Sequence, residues 1–232
     1  MATAAPARLT ETSIGKKWLM ALSSLVLFLY IILHLLGNLK IFFGADPFNH
    51  YAEWLRVAGS PIFPDQGVLW AFRVLLILAI FVHIGAYVQL WLRTRRARGA
   101  TGGRRYRVYR PQVFSQASRT MTWGGITILA FVVYHLLHLT FGNVHPGFVA
   151  ADPYGNVVMG FENVWVSLFY IVGVVALGFH LYHGLWSATQ TFGINNPKYN
   201  RWRRPVALWT AVLIAAGYIS IPVAVLTGIV TR

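Results

Sequence analysis

Five long apolar stretches, separated by shorter polar segments, dominate the pattern of this 232-residue chain. A helix needs about 20 predominantly apolar residues to cross the roughly 30 Å hydrocarbon core of a bilayer, and every stretch reaches that length. The stretches lie near residues 18–43, 67–92, 121–141, 164–190 and 205–229. The pattern therefore predicts an all-α protein, an integral membrane bundle of five transmembrane helices that forms a single domain over residues 1–232.

The charged residues, which make up only 11% of the chain, fall on alternate sides of these stretches. Sixteen of the twenty lysines and arginines lie near the N-terminus, between Arg93 and Arg119, or between Lys198 and Arg204, whereas five of the six acidic residues lie in the two intervening loops. Cytoplasmic loops of membrane proteins carry the excess of basic residues. We therefore expect a cytoplasmic N-terminus, an outside C-terminus and a multi-pass location in the inner (cytoplasmic) membrane.

The net charge of +14 does not require a nucleic-acid partner. Residues 93–110 contain eight arginines around a glycine-rich centre and are too polar to enter the bilayer. We expect this loop to contact anionic membrane lipid, with docking of a cytoplasmic partner as the alternative.

Histidines recur inside four successive apolar stretches. An ionisable side chain within a membrane span is costly unless it is paired, so it marks a cofactor, an ion path or a proton relay by default. The histidines in question are His34, His83, His135, His138, His180 and His183. Four stretches with the same feature indicate a common cause.

Four of these histidines fall at two matching depths. At 1.5 Å per helical residue, His34 and His135 each lie about 24–25 Å from the cytoplasmic ends of their helices. His83 and His180 lie on helices that run in the opposite direction. They are roughly 15–18 Å from the cytoplasmic ends of those helices. Two layers of paired imidazoles are what two stacked b-type haems require, since each iron takes one histidine from each side. With both axial positions filled, such haems carry electrons rather than bind oxygen.

Other polar residues are weaker candidates for contacts to a haem propionate or a quinone. His138 and His183 each lie one turn from a better-placed histidine, so hydrogen bonding is expected of them rather than ligation. Arg73 is expected either to pair with a propionate or to extend to the outer headgroups, as is Lys40. The full set is Arg73, Lys40, Arg119, His138 and His183, with Ser23, Ser24 and Trp123 as further quinone candidates. An alternative is that the membrane histidines bond only to one another.

The chain lacks the residues of a catalytic subunit. It has no cysteine for an iron–sulfur cluster and no G-x-G-x-x-G loop for a dinucleotide. We therefore expect no catalytic residue in it.

The histidine pattern resembles that of a known family. It consists of His34 followed by Gly37-Asn38, His83, Tyr134-His135, and Phe179-His180 followed by Gly184-Leu185-Trp186, together with Ser13-Ile14-Gly15-Lys16-Lys17 ahead of the first span. This order and spacing, over nearly the whole chain, resembles the five-helix, di-haem cytochrome b subunit of succinate:quinone oxidoreductases and of the related quinol:fumarate reductases.

The resemblance implies a function and partners. A flavoprotein subunit would oxidise succinate, as in the succinate dehydrogenase of the tricarboxylic acid cycle, and an iron–sulfur subunit would pass the electrons on. This chain would anchor both, hold two haems b and reduce a membrane quinone, with menaquinone as the expected type. The family's haem ligands map onto His34, His83, His135 and His180. Alternatives are the same complex working as a fumarate reductase, a haem-free structural anchor, and a haem-binding transporter or sensor.

One departure from some fumarate-reducing relatives concerns protons. Those relatives place a glutamate in the last histidine-bearing helix, whereas here that helix contains no acid after Glu162. The resemblance therefore does not extend to a transmembrane proton path.

The loops between the spans give a few local signals. A short helix is expected on the membrane surface over residues 46–58, with Asp46 as its N-cap. His50 in that helix and His145 in the next outer loop are expected to have no ligand role. Asp152-Pro153 is expected to form a turn.

Overall fold

The computed structural model describes residues 11–97, 116–194 and 196–232, with side chains throughout except at residues 116–120. Helices account for all the regular structure of this part of the chain. Five of them are long and apolar enough to cross a membrane. The predicted class, an all-α membrane bundle of five spanning helices, is confirmed.

The helices follow the predicted spans but extend beyond their apolar parts. They are α1 Ser13–Asn38, α2 Ala45–Val57, α3 Gly67–Ala97, α4 Gln116–His135, α5 Pro153–Glu162, α6 Val164–Thr191 and α7 Pro197–Leu226. A 3₁₀ helix, Leu39–Phe43, continues α1, and a π-helical turn, Leu136–Thr140, continues α4. The apolar pattern marks only the hydrocarbon-facing part, so the prediction began α7 at residue 205 and ended α3 at residue 92.

Side-chain caps explain where several helices begin. The Thr12 hydroxyl accepts a hydrogen bond from Gly15 N at 2.9 Å, and the Asn163 and Asn196 side chains cap α6 and α7 in the same way. Such caps satisfy backbone N–H groups that have no partner within the helix. Thr12 is therefore the residue at which α1 is capped.

The loops on the α2 side contain more helix than predicted. The surface helix α2 is present, but it begins at Ala45 after Gly44, whose φ of 99° suits glycine, and Asp46 lies within its first turn instead of capping it. Asp152-Pro153 is not a simple turn, because Asp152 caps the ten-residue helix α5 and Pro153 opens it.

Asp152 also joins α2 to α5. One of its carboxylate oxygens accepts hydrogen bonds from Gly155 N and from the Asn49 amide, both at 2.9 Å, while the Asn49 carbonyl oxygen accepts from Tyr154 N. The Gly155 N–H, and then the Asn49 amide, hold the pKa of the Asp152 carboxyl below its usual value.

The spanning helices pack as two hairpins and one additional helix. α1 packs along α3, α4 packs along α6, and α7 packs along α6. The two hairpins meet where α1 contacts α6 and α7, and there the Tyr218 hydroxyl donates to Ile31 O at 2.7 Å. In the described part of the chain, α1 and α4 do not pack along each other, and neither do α3 and α6.

Two apolar cores hold three of the histidine-bearing helices, α1, α4 and α6, in place. One contains Leu35 and Leu181, the residues that follow His34 and His180, packed with Ala211 and Ile214 of α7. The other lies at the α5 end of the bundle and includes Val158, Phe161 and Tyr170, with Phe131 and Tyr134 of α4 against it. The backbone next to His34, His135 and His180 is thus held by packing.

Candidate cofactor site

Two pairs of histidines face each other between the hairpins. We call His34 with His135 the outer pair and His83 with His180 the inner pair, after their predicted depths. The ring centroids lie 5.9 Å apart in the outer pair, with the planes at 82°, and 6.0 Å apart in the inner pair, with the planes at 60°. All four side chains are half-buried. These are the two pairs that the depth count predicted as neighbours.

Aromatic rings surround the outer pair. Tyr30 stacks on His34 with centroids 5.2 Å apart, and Tyr218 lies 6.2 Å from the same ring. Phe131 and Tyr170 lie 5.9 and 5.8 Å from His135. Aromatic rings, three of them from tyrosines, therefore cover these sides of the outer pair.

The inner pair lies near a hydrogen bond that ties the two hairpins together. Tyr87, one turn along α3 from His83, shares a hydrogen bond of 2.5 Å with the Thr122 hydroxyl of α4. This bond connects α3 to α4, and α4 packs along α6, the helix that carries His180. The bond thus joins the two hairpins on the Arg93 side of the inner pair.

The spacing within each pair suits one shared metal ion. An imidazole nitrogen binds a transition metal at about 2.0–2.1 Å, so two imidazoles on opposite sides of one ion have ring centroids roughly 6 Å apart. The observed separations, 5.9 and 6.0 Å, agree with that value.

Several ring nitrogens in the pairs lack a hydrogen-bond partner. Within the described residues, Nδ1 of His83, His135 and His180 is buried and unpaired. A buried polar atom without a partner is costly. A ligand that binds these nitrogens would relieve this cost.

One glycine leaves open space near the inner pair. Gly184 follows His180 by one turn on α6. A methyl group at Gly184 would meet no heavy atom of the described chain within 4 Å.

The donors in each pair are two imidazoles. The described residues contain no group of three or more His, Cys, Asp or Glu side chains that could hold a metal ion. A pair of imidazoles is a sufficient set of protein ligands for a haem, because the porphyrin supplies the other four nitrogens.

Arg73 and Lys40 both engage aromatic rings at the outer-pair side. The Arg73 guanidinium lies 4.9 Å from the centre of the Trp70 ring. The Lys40 amine lies 5.3 Å from the centre of the Tyr51 ring. The side chain of Arg119 lies outside the described residues, as do residues 98–110 of the arginine-rich loop.

The quinone candidates differ in what their polar atoms do. The hydroxyls of Ser23 and Ser24 donate to carbonyls of their own helix, and Trp123 is exposed. His183 has a buried Nδ1 without a partner in the described chain, and its ring lies 5.9 Å from Trp186. His183 is therefore a quinone candidate with a buried nitrogen that is unused within the described chain.

The sequence did not anticipate a second histidine cluster at the end of α4. His138, in the π-helical turn, is only 1% exposed, and its Nδ1 lies 3.0 Å from the Tyr170 hydroxyl. His145, expected to be a loop residue without a role, does lie in the loop but is buried, and its ring stacks on that of His138 at 4.6 Å. His50 is exposed on α2, as expected of a surface residue.

Comparison of the chain with protein-family models, with curated proteins and with solved structures found no match.

Proposed function

We propose that this chain is the membrane-anchor cytochrome b subunit of a succinate:quinone oxidoreductase. In this proposal a flavoprotein subunit takes electrons from succinate, an iron–sulfur subunit delivers them to the membrane, and this chain passes them to a membrane quinone, expected to be menaquinone. The chain contributes no catalytic residue for succinate.

The observation that carries the proposal is the meeting of four histidines as two pairs, each at the separation that suits one shared metal ion. The resemblance in the order and spacing of His34, His83, His135 and His180 supports the assignment to this family.

Each pair would hold one haem b, which supplies one-electron redox chemistry at its iron when bound. His34 and His135 would hold the haem of the outer layer, and His83 and His180 would hold that of the inner layer. The aromatic rings around the outer pair would lower the local dielectric, which favours the less charged redox state of the bound group.

Hydrogen bonds at the Arg93 end of α3 fix the position of α1 along it. The Lys16 amine donates to the Gln89 side chain, and the Arg93 guanidinium donates to the Ser13 hydroxyl at 3.0 Å and to the backbone oxygen of Glu11. These bonds fix the end of the α1–α3 hairpin at which the soluble subunits are expected to dock. Anionic lipid is the other partner expected for this basic side.

A reduced-minus-oxidised absorption spectrum, combined with a haem-to-protein ratio, tests the proposal. The purified complex is expected to contain two haems b per chain, and succinate is expected to reduce at least one of them. A preparation without haem would instead identify a structural anchor. Haem that succinate cannot reduce, in a preparation free of flavin and iron–sulfur subunits, would identify a transporter or sensor.

The quinone is expected near the cytoplasmic ends of the helices, between the incoming iron–sulfur clusters and the inner haem. His183 is the residue to test first, because its buried Nδ1 is unused within the described chain. A His183→Ala variant should raise the quinone concentration needed for half-maximal reduction, while Ser220→Ala, which removes only a bond to Gly217 O near the opposite end of the bundle, serves as the matched control. Equal quinone dependence of the two variants would place the site elsewhere.

A further inference from the structure

Because of a π-helical turn, the side chains of His135 and His138 point in different directions. In a continuous α-helix the two residues, three positions apart, would lie about 60° from each other on one face. Here the α-helix ends at His135, and Leu136–Thr140 forms a π turn, closed by Phe141 N donating to Leu136 O at 2.9 Å. Turns of this kind occur mostly as single insertions in α-helices, often at functional sites. His135 thereby meets His34, while His138 is directed into a separate cluster.

His138 is enclosed on both faces and held at one nitrogen. The rings of Tyr134 and His145 stack on it from centroid distances of 5.4 and 4.6 Å, with interplanar angles of 15° and 25°. Its Nδ1 lies 3.0 Å from the Tyr170 hydroxyl. Gly160 of α5 closes the remaining side, since a methyl group there would lie 2.7 Å from His138 Cε1. The side chain has one position available.

His145 fastens this cluster to the loop and to α5. Its Nε2 lies 2.7 Å from Asn156 O, and its Nδ1 lies 2.9 Å from Pro146 O. The Asn156 side chain bonds in turn to both backbone groups of Val149. The loop that follows the π turn is thus held against α5, and the His145 ring is held against that of His138.

Tyr170 connects the cluster to the outer pair. Its hydroxyl contacts His138, while its ring lies 5.8 Å from that of His135 and 5.2 Å from that of Phe131. Tyr170 is 5% exposed and belongs to the apolar core at the α5 end. A change in the hydrogen bond to His138 therefore acts on the ring that packs beside His135.

We propose that His138, Tyr170 and His145 are positioning residues that direct His135, and not His138, toward His34. This inference rests on the proposed function, because it assigns these residues a role toward the group held by the outer pair. The π turn rotates the His138 side chain away from the face of His135. The cluster then holds the His138 ring away from the space between the hairpins. His135 is thereby placed in the outer pair, while His138 is held in the separate cluster.

The test uses the intact complex in membranes and measures the midpoint potential and the occupancy of each haem component. Tyr170→Phe removes one oxygen and retains the ring, and His138→Phe retains a stacking ring without nitrogen. Each is expected to shift the midpoint potential of the His34–His135 component and to leave the His83–His180 component unchanged. The double variant should shift it no further than the larger single change, because both remove the same hydrogen bond.

Tyr182→Phe is the matched control. Tyr182 lies on the same helix, packs against the core of Leu35 and Leu181, and has no ring contact or hydrogen bond with the His138 cluster among the described residues. It should leave both midpoint potentials unchanged. If His138→Phe prevents assembly, Tyr170→Phe decides the question alone.

The outcomes separate the two proposals. A wild-type complex without haem would overturn the proposed function and this inference with it. Two haems in the wild type, with an unchanged outer component in Tyr170→Phe, would overturn the positioning role alone. Equal shifts of both components in that variant would likewise overturn it, because they would report a general loosening of the bundle.

Discussion

His34 and His135 lie with their rings 5.9 Å apart, although the helices that carry them, α1 and α4, do not pack along each other in the described part of the chain. The same is true of His83 and His180 on α3 and α6. The hairpins are joined elsewhere, through α1 with α6 and α7 and through the bond between Tyr87 and Thr122. Such an arrangement suits a group inserted between the hairpins and held from both.

The orientation of the bundle is the first prediction. A reporter fused within residues 93–110 should be found in the cytoplasm, and one fused next to Asp152 should be found outside, because basic loops remain cytoplasmic. Paired fusions to a reporter active only in the cytoplasm and to one active only outside would measure this. The reverse pattern would exchange the inner and outer positions of the two histidine pairs.

The second prediction concerns partners. Purification through a tag on this chain under mild detergent should recover two soluble subunits, one with flavin and one with iron–sulfur clusters, because this chain has no cysteine and no dinucleotide loop. Mass spectrometry and flavin fluorescence of the purified material would detect them. A stable chain that reduces quinone in the absence of both subunits would contradict the proposed function.

The third prediction concerns the packing of α4 on α6. A Gly173→Ala variant should lower the thermal stability by the equivalent of about 1–3 kcal/mol, as expected of overpacking, because the added methyl group would lie 2.5 Å from the Phe131 ring. Gly178→Ala is the matched control on the same helix, where the methyl group would lie 3.4 Å from Ala215. Equal melting temperatures of the two variants would show that the contact with Phe131 is looser than described.

The fourth prediction is a pH dependence at the junction of α2 and α5. Because the pKa of Asp152 is lower in the folded protein than in the unfolded chain, its contribution to stability is present above the unfolded value, about 3.9, and is lost as the pH falls through the folded pKa. Asp152→Asn retains an oxygen that can accept from Gly155 N but has no charge to lose. Its melting temperature should therefore fall less on acidification from about pH 5 to about pH 3 than that of the wild type. Parallel curves would contradict this role of the carboxylate.

The spanning helices and the histidine pairs were predictable for a simple physical reason. A bilayer imposes a minimum apolar length, and the regular rise of a helix converts residue number into depth. Counting residues from the basic ends therefore placed His34 level with His135, and His83 level with His180. No knowledge of the packing was needed for either step.

The cluster at the end of α4 was not predictable in the same way. The π turn is a single-residue irregularity, and an α-helical pattern assigns His138 to the face of His135. The burial of His145 depends on α5. This helix is short, and the sequence Asp152-Pro153 at its start is typical of a turn, so it was not predicted. Tyr170 contacts His138 across 32 positions in the sequence, so no local pattern indicates the bond.

The central claim is that two specific pairs of histidines each hold one haem, and single alanine variants test it most directly. Reduced-minus-oxidised spectra of His34→Ala and His135→Ala should lack the same spectral component, and those of His83→Ala and His180→Ala should lack the other. In the variants that lack the inner component, succinate should also reduce the outer component more slowly, because electrons enter from the cytoplasmic side. Loss of one common component in His34→Ala and His83→Ala, or retention of both components in all four variants, would contradict the account.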